Sequence, residues 1–427
     1  MLISFSIENW MSFRDPASFS MIASREKQHG KRIPKVAKFH TRFLPVATIS
    51  GGNTSGKTNL FQALCFVKWL VLTGTGSESP IPIEPYRLDS ASIKKPSRFQ
   101  LVLLINEIIY EFSFALTRKE IVEEKLVKIT SSSEKILYDR KGEALKTDPS
   151  INKDLFLHSA SKSARDNQLL LTNLVSQNVD IFRPVYDWFK DNLVFIAPDS
   201  RFGFLAPFIA EGHPLFITMN EMLQQLDTEI SHLGEEDISF DDLSLPKTLK
   251  KRLEEDVKEG MTIRLPNNEP IIITRKAGEL VAKKLVSFHL RSKGTAAKFD
   301  LSQESNGIQR LIHLLPAFLE LSASNSKKVY VIDEIDRSLH SLLTRQLIEA
   351  FLENCRKDSR AQLLIATHNL LLMDQGLFRR DEMWVAERNR NGISELYSVS
   401  EFKDVRHNKD IRKSYLQGRF GGIPRFR

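Results

Sequence analysis

The sequence predicts an α/β fold, built as two halves of one domain with a long, mostly helical insertion between them. Three observations lead there. A glycine-rich turn lies between an apolar strand pattern (Val46, Ala47, Ile49) and an apolar segment of helical spacing, Leu60 to Leu72. A continuous apolar run, Val329 to Ile332, ends in Asp333-Glu334, as a parallel strand buried on both faces would. From Ile308 onward the pattern reads helix, strand, helix, strand, the alternation of α/β architecture.

Taken in order, Leu2 to Glu8, Ala17 to Ile22 and Pro45 to Ser50 read as short strands; in the first, Ile3, Phe5 and Ile7 alternate with Ser4, Ser6 and Glu8. Arg98 to Leu116 and Glu120 to Tyr138, rich in Val, Ile, Phe and Tyr, read as an antiparallel β lobe. From Asp148 to Glu279 the pattern is largely helical and polar, with loop-like stretches at Pro198 to His213 and Ser231 to Pro246. Strands return at Val286 to Arg291 and Lys298 to Leu301. The tail then gives a helix at Ile308 to Leu321, a strand at Val329 to Ile332, a helix at Leu342 to Asn354 and a strand at Gln362 to Ala366. The expected division is 1–147, 148–285 and 286–427.

Hydrophobic residues make up 41% and charged residues 27% of the 427, a globular composition. Cys65 and Cys355 are the only cysteines, which excludes a disulfide scaffold or a Cys-rich zinc module and suits a reducing cytoplasm. No apolar run reaches the ~18 residues of a membrane span. The net charge of +8 is concentrated: Arg275 to Lys298 holds seven Lys/Arg against Glu279 alone, and Lys403 to Arg427 holds eight against Asp404 and Asp410. Asp227 to Asp242 has seven acids and no Lys or Arg. The cationic segments are either a footprint for nucleic acid or an acidic partner, or solvated faces.

Gly51-Gly52-Asn53-Thr54-Ser55-Gly56-Lys57-Thr58 fits the phosphate-loop pattern G-x-x-x-x-G-K-[ST]. Glycines let the backbone fold tightly with its N–H groups inward, and the following helix adds its N-terminal amides and dipole. Lys57 would reach the β- and γ-phosphates, and the Thr58 hydroxyl would bind Mg²⁺. Asp333 would hold the same ion, directly or through water, and Glu334 would orient and polarise an attacking water. Gln362 to Asn369 is a second buried strand ending at His368, placed to hydrogen-bond a γ-phosphate. Ser302 to Arg310 opens an amphipathic helix, where Ser305 and Gly307 form either a second anion site or a plain N-cap. One triphosphate cannot easily engage both loops of one subunit, so the Ser305 loop is expected to face another chain's nucleotide.

In this order, the phosphate loop, Glu304-Ser305-Asn306-Gly307-Ile308-Gln309-Arg310, the Val331-Ile332-Asp333-Glu334 strand and Ala366-Thr367-His368-Asn369 resemble the ABC-type ATPase heads of the SMC–RecF–OLD group. With Ile7 to Phe13 and Lys413 to Pro424, the chain resembles more closely the RloA/AbiL-like ATPases of bacterial phage-defence operons, assigned to the AAA family. The resemblance implies an ABC-type P-loop head with a mixed sheet and two heads sandwiching two ATP. It makes Lys57 and Thr58 the Walker A residues, Asp333 and Glu334 the Walker B pair, His368 the switch histidine, and Ser305 and Gly307 the signature. Asp336 to His340 falls at the D-loop, with Ser338 or His340 as cross-dimer contacts. Arg14 could approach the nucleotide or be a plain exposed arginine. The signature departs from Ser-Gly-Gly, Ser341 replaces a proline of OLD-like relatives, and the Q-loop glutamine is not evident, Gln100 being a candidate only.

The resemblance implies Mg²⁺-dependent ATP hydrolysis by a homodimer that controls an effector. The 59 residues after His368 hold no second acidic cluster, metal-ligand set or nucleophile triad, so the effector is expected on another chain; the resemblance implies a partner nuclease of Toprim or HNH type from the same operon. A RecF-like DNA-binding maintenance ATPase without an effector is the alternative, and a transporter subunit fits less well.

Overall fold

The computed structural model describes residues 1–149, 163–200, 214–226, 228–243, 245–259, 262–266, 270–290, 294–402, 411–417 and 419–420. They form two compact units. The first comprises Met1–Ala197, Ser324–Ile335 and Glu349–Arg427; the second comprises Pro198–Ala323 and Asp336–Ile348.

The first unit opens with β1 (Leu2–Glu8), β2 (Ala17–Ser20), β3 (Lys35–Val36), β4 (Thr41–Arg42) and β5 (Val46–Ser50), followed by α1 (Lys57–Leu72). Then come β6 (Ser97–Ile105), β7 (Ile108–Leu116), β8 (Ile121–Ile129), β9 (Glu134–Lys141) and β10 (Ala144–Thr147), the short helix α2 (Leu170–Ser176) and β11 (Leu193–Ile196). Strands β10-β9-β8-β7-β6-β1-β2 make a seven-stranded antiparallel sheet, the β lobe expected from the Val/Ile/Phe-rich alternation. Its buried face packs on α1, where Trp10, Phe66 and Phe99 form one aromatic cluster with centroids 5.1–5.5 Å apart. Glu124 is buried on β8. Its carboxylate accepts from Leu170 N (2.6 Å), Leu171 N (3.0 Å) and the Tyr138 hydroxyl (2.8 Å), satisfying the first amides of α2.

The second unit holds α3 (Pro214–Gln225), β12 (Ile230–Ser239), α4 (Lys247–Asp256), β13 (Thr262–Pro266), β14 (Pro270–Lys276), β15 (Glu279–Leu290), β16 (Ala296–Asp300) and α5 (Asn306–Ser322). The insertion is thus not simply helical. An antiparallel sheet of order β12-β15-β14-β13, with β16 also on β15, forms its body, and Phe240, Leu253, Val257, Ile273 and Ala282 pack between sheet and α4. Ser231 to Pro246, expected as a loop, is mostly β12.

The reason is charge pairing. Glu235, Glu236 and Asp237 are poor strand formers alone, but β12 lies antiparallel to β15 with Glu236 opposite Lys284 and Asp237 opposite Lys283. Lys284 bridges Glu236 (3.2 Å) and Asp300 (2.6 Å), Lys283 pairs with Glu235 and Asp237, and Lys298 pairs with Glu236. Arg275 donates to the carbonyls of Val257, Glu254 and Gly278. Within these two stretches, Glu235, Glu236 and Asp237 are therefore matched by Lys283, Lys284 and Lys298. The loop expected at Pro198 to His213 lies outside the described residues from 201 on, as does most of the basic tail, 403–410, 418 and 421–427.

The chain continues through β17 (Val329–Ile332), α6 (Ser341–Asn354), β18 (Gln362–Thr367), β19 (Met383–Arg388), β20 (Ser394–Ser398) and α7 (Ile411–Leu416). In the first unit, β11, β17, β18, β5 and β19 lie side by side and parallel, with β20 antiparallel at the edge: a mixed sheet. Strands β5, β17 and β18 are buried along their whole length, which explains why apolar residues dominate them, without a break in β17. Strands β11, β19 and β20 were not expected from the sequence. Among the described residues, no helix is long and apolar enough to cross a membrane.

Candidate functional site

The phosphate loop turns from β5 directly into α1, where Gly56 is the N-cap with φ +107°. Two of its glycines are required sterically. A Cβ on Gly51 would strike the Ala386 carbonyl, and one on Gly56 would lie 2.5 Å from Ser394 Oγ. Thr54 also takes a left-handed φ of +66°. The Lys57 ammonium is buried; it donates to Gly51 O (2.7 Å) and Gly52 O (3.0 Å) and lies 3.5 Å from His368 Nδ1. Ser55 Oγ is buried inside the loop with no hydrogen-bond partner. A loop with its lysine folded inward and an orphaned hydroxyl is a cradle that suits an anion.

Strand β17 brings the carboxylates to the same place. Asp333 is buried, its backbone N–H bonds Ile196 O (3.1 Å), and its side chain hydrogen-bonds that of Thr58. Burial raises the Asp333 pKa, and the neighbouring Glu334 charge adds to that. A cation would relieve both effects, so Thr58 and Asp333 fit Mg²⁺; among the described residues no cluster of three or more His, Cys, Asp or Glu competes as a metal site. Glu334, at φ +46°, turns into a cleft of about 750 Å³ that His368, at the end of β18, also lines. Here the structure brings together Asn53 to Thr58, Glu334 and His368.

Sequence reasoning missed the other wall of the cleft: Met11, Ser12, Glu84 to Leu88 and Arg388. Ser12 Oγ accepts from Asn59 Nδ2 (2.7 Å) and from Ser394 Oγ (2.7 Å), while the Ser394 N–H bonds Ser12 O (2.8 Å). Trp10 Nε1 donates to Asn59 O (2.8 Å), and the Asn9 side chain holds Ser92 O, Lys95 O and Tyr86 N. The stretch Ile7 to Phe13 thus braces the start of α1. Two expectations place elsewhere. Gln100 lies on β6 bonded to Glu111 (2.9 Å) and does not line the cleft, because its strand belongs to the antiparallel lobe. Arg14 is half-buried, pairs with Asp15 (2.9 Å) and is also absent from the cleft.

The second unit carries the signature. Ser305 is the N-cap of α5, its Oγ accepting from Ile308 N (3.2 Å). Glu304 is fixed by Ser287 and by His289 Nε2 (2.6 Å), both on β15. Asp336 to His340 runs beside it: a Cβ on Gly307 would lie 2.8 Å from the Ser338 carbonyl, Ser338 has φ +63°, and Arg337 pairs with Asp199 (2.8 Å). His313, further along α5, is buried; burial and the nearby Arg310 lower its pKa to about 4.

A mixed, mainly parallel sheet with a phosphate loop after one strand and Asp-Glu after another, flanked by an antiparallel lobe, defines a P-loop ATPase domain. Residues 46–374 match the family described as "AAA domain, putative AbiEii toxin, Type IV TA system", and the chain belongs to that family. No curated protein matches it. Among solved structures, an SMC head domain from Thermotoga maritima is 15% identical with a TM-score of 0.37, covering 93% of this chain and 98% of that one. An SmcHead bound to the C-winged helix domain of ScpA is 11% identical with a TM-score of 0.39, covering 94% and 99%.

Proposed function

We propose that this chain binds and hydrolyses ATP, and that its nucleotide state controls a partner effector in defence against phage, as in RloA/AbiL-like systems. The observation that carries this reading is the convergence of Lys57, Thr58, Glu334 and His368 on one cleft, with Asp333 hydrogen-bonded to Thr58. In the proposed reaction the loop amides and Lys57 bind the triphosphate, and Glu334 holds the attacking water and takes its proton. His368, beside Lys57, contacts the γ-phosphate. Mg²⁺, held by Thr58 and Asp333, would neutralise phosphate charge when bound.

The Ser305 helix tip would complete the site of a second copy, so that ATP binds the closed homodimer more tightly than the open chain and shifts the equilibrium between them. The effector is assigned to another chain, a Toprim- or HNH-type nuclease from the same operon, and the setting to the cytoplasm. The alternative, a DNA-binding maintenance ATPase without an effector, draws on both cationic segments: in Arg275 to Lys298, Lys283, Lys284 and Lys298 pair with acids of β12, and most of Lys403 to Arg427 lies outside the described residues.

The test is a pair of variants. Glu334→Gln is expected to bind ATP normally, lose at least 100-fold in turnover and accumulate as a nucleotide-bound dimer; Lys57→Ala is expected to lose binding. Normal turnover by Glu334→Gln would overturn the assignment of the base. Co-purification with the adjacent gene product supports the effector, whereas metal-dependent nuclease activity of this chain alone would overturn it.

A further inference from the structure

A third cationic stretch lies in the first unit: Arg25 to Arg42 holds seven Lys or Arg against Glu26 alone. Three charged side chains are spent inside. Arg32 pairs with the buried Glu382 (2.5 Å), Arg42 donates to Ser24 O (2.7 Å), and Glu26 turns to Arg380 (2.6 Å). Arg25, Lys27, Lys31, Lys35 and Lys38 are exposed, and none has an ion pair among the described residues. This is the reverse of β15, whose lysines are all paired.

A second segment extends the patch. Lys27 and Lys31 line an open cleft of about 800 Å³ with Arg356, and Lys35 N donates to Lys357 O (2.8 Å). The acids along it are Glu349 and Glu353 in the cleft and the exposed Asp358. The backbone carrying these cations is pinned. Buried Arg379 donates to Glu26 O (2.9 Å) and Gln28 O (2.7 Å) while held by Asp381, and Asp381 accepts from Ser24 N (2.7 Å). The lysines therefore stand on a fixed platform.

We propose that this face binds duplex nucleic acid through its phosphate backbone. Protein interfaces are depleted of lysine and centre on an apolar core; here exposed lysines dominate, and the one aromatic of the stretch, Phe39, is half-buried. With no exposed Phe, Tyr or Trp and His40 as its one exposed ring, the stretch offers little of the stacking platform a single strand needs. Backbone contacts specify no sequence, so the face would report the presence of a duplex, not its identity. The inference does not rest on the ATPase reading.

The test is fluorescence anisotropy of the full chain with a labelled 30-base-pair DNA between 50 and 200 mM salt. Five or six phosphate contacts give a slope of log affinity against log salt of about −5. Lys27→Glu, Lys31→Glu and Lys35→Glu together are expected to weaken binding at least tenfold at low salt and make the slope shallower by about 3. The same reversal at exposed Lys119, Lys141 and Lys146 serves as control and is expected to change little. Should the triple reversal unfold, shown by circular dichroism, Lys27→Gln and Lys31→Gln are expected to lower the slope by about 2. A fluorescent ATP analogue and Lys57→Ala separate the two readings, since that variant should keep duplex binding. Unchanged binding by the reversal, equal loss in the control, or salt-sensitive capture of an acidic protein with no duplex binding would each overturn the proposal.

Discussion

Gly307, in the signature, and Ser338, in the loop after the acidic pair, approach so closely that a Cβ on the first would lie 2.8 Å from the carbonyl oxygen of the second. The neighbour is backbone, held at a left-handed φ of +63°, so it cannot rotate aside as a side chain would. The departure of this signature from Ser-Gly-Gly spares the glycine on which the close approach depends.

Gly307→Ala should therefore displace the Ser338 loop or the first turn of α5. We expect a loss of about 1–3 kcal/mol, the usual range for forcing an extra methyl into a packed site. Urea unfolding followed by circular dichroism measures it, and an unchanged midpoint would show that the loop yields freely.

Ser12 joins Asn59 and Ser394 beside the phosphate loop. Ser12→Ala leaves both partners short of a hydrogen bond and should cost about 1 kcal/mol. If the trio positions the loop, affinity for an ATP analogue should fall about two- to fivefold with the fold retained; a purely structural role would lower the melting temperature alone.

The charged ladder of the second unit makes a sharper case. Glu236 faces Lys284 across the sheet and also holds Lys298, whose hydrogen bond keeps the Glu236 carboxyl below its usual range. Glu236→Lys would set three ammonium groups together and should destabilise this unit by about 1 kcal/mol or more. Because the pairs are part-exposed, 0.5 M salt should restore much of the loss. A salt-independent loss would show that packing, not charge, holds β12.

His313 predicts acid sensitivity. Its pKa falls from the model-peptide 6.5 to about 4 in the folded chain, through burial and then Arg310. The unfolded chain takes up the proton first, so this contribution to stability is present above about pH 6.5 and is lost as the pH falls towards 4. The loss is on the order of 3 kcal/mol at full protonation. His313→Leu should flatten the dependence of urea midpoint on pH across that window; an unchanged slope would mean another group dominates.

Walker residues were legible because their chemistry demands particular residue types at fixed spacing, within eight positions at Gly51 to Thr58 and two at Asp333-Glu334. The brace at Ser12 and Ser394 was not, since its partners are 382 positions apart and each is an ordinary serine. Strand β12 was read as a loop because Glu235 to Asp237 look unfavourable until β15 supplies lysines opposite. The cations at Arg25 to Arg42 were concealed by arithmetic: acids elsewhere in the remainder cancel them in a total, though not in space. Gln100 shows the converse, a residue of the right type whose strand carries it to a different sheet.

Strand β5, which delivers the phosphate loop, has β18 on one side and β19 on the other, both from beyond residue 360. On the ribosome, that strand emerges with both hydrogen-bonding edges unpaired and waits for some three hundred residues before either flank arrives. Long-range pairing of this kind is slow and leaves sticky intermediates. Competence to grip nucleotide is thus gained only once β18 and β19 have been made, and a translation product truncated before them would carry an intact motif that does nothing.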